Sequence, residues 1–241
     1  MKIAIPTYKR ADTIEELSLK IFRKLSYPIY LFVHTEEQKK QYEKIKGVEI
    51  VVSNAIGIVG QRNFILNYFK EGEEIVQIDD DIQDIFILKS GYPRGKLEKL
   101  EGNQLEGFIE QAFADLKREG LKLWGVYPVP NAFYMDNGMS RNNFVIATFM
   151  GIIVSNLRFD SDLILKEDYD FTLQNIMIGG TLRYNFITVK AKHYVNSGGV
   201  KEIRDDKNEQ KSIAVLKAKW GDWIKNNPRR KNEILIKRKI K

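Results

Sequence analysis

The run EIVQIDDDI, residues 74–82, ends an apolar stretch on three consecutive aspartates, Asp79, Asp80 and Asp81. In extended backbone successive side chains alternate, so Asp79 and Asp81 are expected on one face and Asp80 on the other, with a lesser part. Two carboxylates about 4 Å apart repel by roughly 1 kcal/mol in bulk water and about 4 kcal/mol at an effective dielectric of 20. Burying them together calls for a cation, and hard oxygen ligands suit magnesium or manganese that bridges to a diphosphate. Taken alone, the triplet fits a solvated acidic turn, or a helix start capped by aspartate, equally well.

Three further groups could join such chemistry. Glu167, Asp168 and Asp170 open an apolar helix in KEDYDFTLQ, where the helix dipole also favours acids. His193, one of two histidines, follows an alternating apolar run in VKAKHYV and is either a ligand or a structural residue. Arg62 and Asn63 in VGQRNFIL stand at an expected helix start, where an arginine opposes the dipole and so needs an anionic partner. The loop NAFYMDNGMSRNNF carries Phe133, Tyr134, Asp136, Asn137, Arg141 and Asn142, a mixture able to stack on and read an unpaired base, or simply a surface loop.

The elements that must position these residues alternate through the first ninety positions. KIAIP, IYLFVH, VEIVVS and EIVQIDDD read as strands. ADTIEELSLKIFRKL, with Ile14, Leu17, Ile21 and Leu25 in helical period, EEQKKQYEKIK and GQRNFILNYFK read as the helices between them. Strands apolar along their whole length and separated by helices imply a mostly parallel sheet covered on both faces, a Rossmann-like α/β unit. Ligands bind such sheets beyond the carboxyl ends of the strands, which is where the aspartates fall. The first turn, PTYKRAD, has neither the GxGxxG nor the GxxxxGK[ST] phosphate loop. From 102 onward a helix, GNQLEGFIEQAFADLKREG, precedes the strand LKLWGVYPVP, a longer β segment or pair in NNFVIATFMGIIVSNLRF, the helix of Glu167, and the strand TLRYNFITVKAKHYV. No linker divides the chain, so one domain is expected over 1–241: an α/β half (1–90), a half with added antiparallel strands and an acceptor-side surface (91–200) and a basic helical tail (201–241), the first of which the resemblance given below makes the nucleotide-sugar-binding half.

Composition agrees with a soluble globular protein able to bury a full core: 241 residues, 43% hydrophobic and 29% charged. Without cysteine there is no disulfide, thiolate zinc site or thiol nucleophile. No signal peptide opens the chain and no window reaches the ~20 apolar residues of a membrane span, so a cytoplasmic location is expected. The net charge of +7 is concentrated toward the tail NNPRRKNEILIKRKIK, which is either solvated or in contact with phosphates.

In this order the motifs resemble the GT-A class of nucleotide-sugar glycosyltransferases, over most of the chain from IPTYKR through HYVNSGG. The resemblance implies that Pro6, Thr7, Tyr8 and Arg10 form the turn beside the nucleotide, that Arg62 and Asn63 hold the donor, and that Asp79 to Asp81 are a DxD motif. In that motif Asp81 would bind Mn2+ or Mg2+, Asp79 the ion or the donor ribose, and Asp80 would belong to the donor site. His193 would be a late metal ligand. Asp168 would be the base of an inverting transfer, or bind the acceptor in a retaining one, with Glu167 orienting acceptor or base. The QxxRW of processive synthases is absent. The chain also resembles the bacteriophage glycosyltransferases associated with ten-eleven-translocation dioxygenases, an impression to which the segment NSGG adds. That resemblance implies a UDP-sugar donor such as UDP-glucose, and a double-stranded DNA acceptor bearing 5-hydroxymethylcytosine or a related hydroxymethylpyrimidine. Tyr134, Asp136, Arg141 and Asn196 would then contact the acceptor, in the cytoplasm of the infected host. Transfer to a glycan or lipid-linked acceptor, nucleotidyl transfer with two metals, and a non-enzymatic basic nucleic-acid-binding module are the competing readings.

Overall fold

Ile3 and Ile5 of the first strand face one hydrophobic cluster while Ala4 between them faces another, and all three are fully buried. Leu31 and Val33 against Phe32 in the second strand, and Val76 and Ile78 against Ile75 in the fourth, repeat the division. Both faces of these strands are therefore covered, which is what their uninterrupted apolar sequence requires. The computed structural model describes residues 1–89, 95–192 and 204–237.

The chain runs β1 (Lys2–Pro6), α1 (Ser18–Phe22), β2 (Ile29–Val33), α2 (Glu36–Tyr42), β3 (Glu49–Val52), α3 (Gly57–Tyr68) and β4 (Glu74–Ile78). It continues through β5 (Ile82–Lys89), β6 (Lys96–Lys99), α4 (Gly102–Glu119), β7 (Leu123–Tyr127), β8 (Met139–Arg141) and β9 (Phe149–Ile153). The last elements are α5 (Glu167–Ile178), β10 (Leu182–Ala191), α6 (Asp206–Trp220), β11 (Ile224–Asn226) and β12 (Ile234–Ile236). The main sheet has the order β3-β2-β1-β4-β9-β7-β10-β5-β6, with β8 beside the start of β10. Strands β1 to β4 are mutually parallel, β10 is parallel to β7, and β9, β5, β6 and β8 bring in the antiparallel pairs. Among the described residues no helix is long and apolar enough to cross a membrane.

Several elements differ from the sequence reading. The helix expected across 11–25 is confined to Ser18–Phe22, because residues before it wind as turns: Thr13 and Ile14 both donate their amides to the Arg10 carbonyl. Ile14 and Leu17 still point into the core, so the apolar period is kept without the helix. The long β segment expected near 142–159 is only Phe149–Ile153, where every residue is buried. There Gly151 is required by packing, since a Cβ would stand 2.0 Å from Trp124 Nε1 on β7. Strands β5 and β6 are two elements that the sequence reading does not include. The tail is not simply helical: after α6 the chain forms the hairpin β11–β12, and both pack on α5 through a cluster of Leu163, Leu173, Ile213, Leu216, Ile224 and Ile234.

Candidate active site

In the order 3-2-1-4, β1 leads to β2 on one side and pairs with β4 on the other, so a crevice opens where their carboxyl ends diverge. Pro6 delivers Thr7 and Tyr8 to one lip and Ile78 delivers the aspartates to the other. Because β9 runs antiparallel to β4, with Phe149 opposite Ile78, the residues entering β9 reach the same edge, and Asp79 donates its amide to the Thr148 carbonyl at 3.0 Å. The start of α5 completes the wall, and the cleft encloses about 810 Å³, a volume ordinary for a small-molecule site.

The three aspartates do not continue the strand. Ser18, fully buried, accepts from the Ile82 amide (2.9 Å) and donates to the Asp79 carbonyl (2.7 Å), holding 79–82 as a turn. Strand alternation therefore fails, and the pairing expected between Asp79 and Asp81 is replaced by one between Asp80 and Asp81. Both of these buried carboxylates bind the Arg10 guanidinium, Asp81 at 3.0 Å, and Asp80 also accepts from Thr7 Oγ1 at 2.7 Å. The Tyr42 hydroxyl braces this corner, bonding Thr7 Oγ1 at 2.8 Å and accepting from the Arg10 amide at 2.9 Å. Burial pushes the Asp80 carboxyl up to about 6, against the pull of Arg10 and Thr7.

Asp79 turns to a second arginine. Arg62 lies in the second turn of α3, not at its start as expected, so the dipole argument does not apply; its side chain is 3% exposed and answers two acids. Nη2 donates to Asp79 Oδ1 at 2.9 Å, Nε faces Glu167 Oε1 at 3.3 Å, and Nη1 donates to Gln77 Oε1 at 2.9 Å. Asn63, expected beside it in the donor site, is absent from the cleft wall: its amide is closed in a two-way bond with the Phe159 backbone, both contacts 2.8 Å. Asp168 follows Glu167 into the cleft and is half-buried; burial and the neighbouring Glu167 push its carboxyl up to about 7, despite Arg62 and the Ala147 backbone. Asp170 faces away from the cleft, fully buried, and accepts from Trp220 Nε1 at 2.7 Å.

Pro6, Thr7, Tyr8, Arg10, Arg62, Asp79, Asp80, Asp81, Glu167 and Asp168 thus share one cleft. Tyr134, Asp136 and Arg141, expected at the acceptor, do not line it. Asp136 accepts from the Gly138 amide and Asn185, Arg141 pairs with Glu119 at 2.6 Å, and Tyr134 packs edge-on against exposed Phe133. Their local partners, supplied by the loop and its neighbours, explain why they stay outside. His193 and Asn196 lie outside the described residues. The chain leading to them passes the aspartates, since the Lys192 amide donates to the Asp81 carbonyl at 3.0 Å.

Sequence reasoning missed His34, at the carboxyl end of β2, whose Nδ1 bonds the Ala55 carbonyl, and Gln61, one residue before Arg62. Both lie where the strand-end rule or helix period, applied once more, would have pointed. It also missed the stacked pair Phe144 and Tyr169 (4.2 Å between centroids) on the cleft wall.

The cleft is lined by six acids, Asp79, Asp80, Asp81, Glu167, Asp168 and Glu233, against Arg10, Arg62, Lys166 and Arg204. That surplus of negative charge fits a divalent cation, as does Asp79, the most exposed of the triplet at 21%. Among the described residues, however, no three acidic or histidine groups converge as a ready-made ion cage.

The family described as TET-Associated Glycosyltransferase matches residues 1–199. No curated protein matches the chain. Among solved structures the chain is similar to a CMP:2-keto-3-deoxy-manno-octonic acid synthetase complexed with CTP, at 8% identity and a TM-score of 0.45, covering 90% of this chain and 98% of that one.

Proposed function

The chain belongs to the TET-associated glycosyltransferase family and is a glycosyltransferase; from that premise we propose that it moves a sugar from a nucleoside-diphosphate sugar, a UDP-sugar, to the hydroxyl of a hydroxymethylpyrimidine in DNA, with Mn2+ or Mg2+ as cofactor. The observation that carries this reading is the meeting, in one cleft at the sheet edge, of the acidic turn at Asp79 to Asp81 with Glu167 and Asp168 at the start of α5. Asp79 and Asp81, with His193, would hold the cation. When bound, it neutralises the diphosphate as charge accumulates on the leaving group.

The remaining roles belong to the chain's own residues. Thr7, Tyr8 and His34 line the part of the cleft next to β1 and β2 and would hold the nucleoside. Arg62 fixes Asp79 and Glu167 in place, keeping donor and acceptor walls in register. The acceptor oxygen attacks the anomeric carbon, the bond from that carbon to the diphosphate oxygen breaks, and the hydroxyl proton passes to Asp168. A carboxyl poised near 7 is half deprotonated at neutral pH, which suits a general base. This assignment is for an inverting transfer.

Titration calorimetry with uridine diphosphate, with and without manganese, paired with transfer assays on hydroxymethylated DNA and on glycan acceptors, tests the proposal. Manganese-dependent binding and transfer to DNA are expected. Undiminished transfer in excess chelator would remove the cofactor, and transfer to glycans alone would remove the DNA acceptor.

A further inference from the structure

The region beyond the family match contains a surface whose charge is opposite to that of the cleft. Residues 204–237 hold ten Lys and Arg against five Asp and Glu, a net +5 of the chain's +7. On one acid-free face of α6, Lys207, Lys211 and Lys217 are exposed, with only Gln210, Ala214 and Ala218 between them. Lys225 on β11 and Arg229 in the hairpin turn are also exposed, and none of these five has an ion-pair partner among the described residues. Cations left without partners on a face with few acids are an electrostatic footprint for a polyanion.

This surface is fixed to the catalytic wall. Lys219 lies 2.8 Å from the fully buried Asp170 of α5, Trp220 bonds the same carboxylate, and Tyr169 donates to the Ile234 carbonyl at 3.0 Å. The Leu165 amide donates to Ser212 Oγ at 3.2 Å, and Lys166 pairs with Glu209 at 2.6 Å. Arg204 and Glu233, at the two ends of the unit, reach the cleft itself. Whatever binds the outer face is therefore held in constant relation to Asp168.

The charge of the two regions decides what can go where. The cleft, lined by six acids against four lysine and arginine side chains, carries a net negative charge that disfavours a phosphate backbone, whereas the outer face attracts it. We propose that α6 and the β11–β12 hairpin form the docking surface for the phosphates of duplex DNA, holding the backbone outside the acidic cleft so that a base must leave the stack for its hydroxyl to reach Asp168. This rests on the DNA-acceptor reading above. It adds where the acceptor sits, and that only an extruded nucleotide enters.

The test is a variant carrying K207Q, K211Q and K217Q, compared with one neutralising Lys20, Lys40 and Lys70 elsewhere on the surface. Binding of full-length protein to a fluorescent duplex containing hydroxymethylcytosine is measured across a salt series, together with transfer to that duplex and to the free hydroxymethyl nucleoside. Each lost phosphate contact lowers the slope of log affinity against log salt by about 0.9, so the first variant should lose about 2.7. Its KM for duplex should rise, while transfer to the free nucleoside and binding of the donor nucleotide stay at wild-type values. The control variant should keep the wild-type slope. An unchanged slope and KM in the first variant would overturn the docking surface while leaving the DNA acceptor intact. Wild-type protein that neither binds nor modifies the duplex would overturn the acceptor reading, and the surface with it.

Discussion

Arg62 Nη2 stands 2.9 Å from Asp79 Oδ1, and through the same guanidinium the acid that ends β4 is tied to Glu167 at the start of α5. Removing one member of a buried ion network leaves the others uncompensated, at a cost of about 3–5 kcal/mol. Arg62→Met should therefore lose on that order of stability in urea titrations and lose transfer with it. Arg62→Lys keeps the charge but not the fork that reaches two acids and Gln77, so it should recover only part of both. A fully stable Arg62→Met protein would show that the network is not what joins the two walls.

Asp168→Asn removes the proposed base without changing shape. Transfer should fall by about 10²- to 10⁴-fold while calorimetric affinity for the donor nucleotide is kept. In the wild type, kcat should rise with pH through about 7, as the carboxyl becomes deprotonated. The effect on stability has the opposite sign. Raised from 3.8 to about 7, this carboxyl holds its proton in the folded state where the unfolded chain has released it, so stability falls as pH rises across that interval. The Asn variant should lose less stability than wild type between pH 5 and pH 7 in paired urea titrations.

Strand alternation would make Asp80 the dispensable member of its triplet. Its bonds to Thr7 and Arg10 reverse that ranking. Asp80→Ala should cost about 1.5–3 kcal/mol, the range for hydrogen bonds to charged groups. It should also weaken nucleotide binding at least as much as Asp79→Ala does. Calorimetry on the two variants side by side decides between the rankings, and wild-type affinity in Asp80→Ala would restore the one drawn from alternation.

Trp220→Phe retains most of the packing of the indole but deprives buried Asp170 of a 2.7 Å donor, leaving it Lys219 and Gln174. A loss of about 1.5–3 kcal/mol is expected in thermal or urea unfolding. Unchanged stability would mean that α6 is held on α5 by its apolar contacts alone.

The alternation of β1 to α3, ending at β4, was legible because each strand is apolar on both faces and each helix between them has turn residues at its ends. The acid-bearing edge was legible for the same reason, since parallel strands share a carboxyl end. What was not legible came from contacts distant in sequence. Nothing near Ser18 indicates that its hydroxyl will pin the turn at Asp79 and so cancel the alternation of the triplet. Asn63 reads as a site residue beside Arg62, yet one helical step turns it toward Phe159. Tyr134, Asp136 and Arg141 have a composition suited to binding a base, but composition does not reveal that Glu119 and Asn185 engage two of them outside the cleft. The hairpin after α6 was hidden by its length, two strands of three residues each, too short for a period to be seen.

The ties that shape the cleft join residues far apart in the chain: Thr7 to Asp80 across 73 positions and Arg62 to Glu167 across 105. Such contacts form late, because the long loops they close must lose their entropy before any interaction compensates. In refolding from urea, affinity for the donor nucleotide should return only with the final native phase, well after the helices have regained their signal.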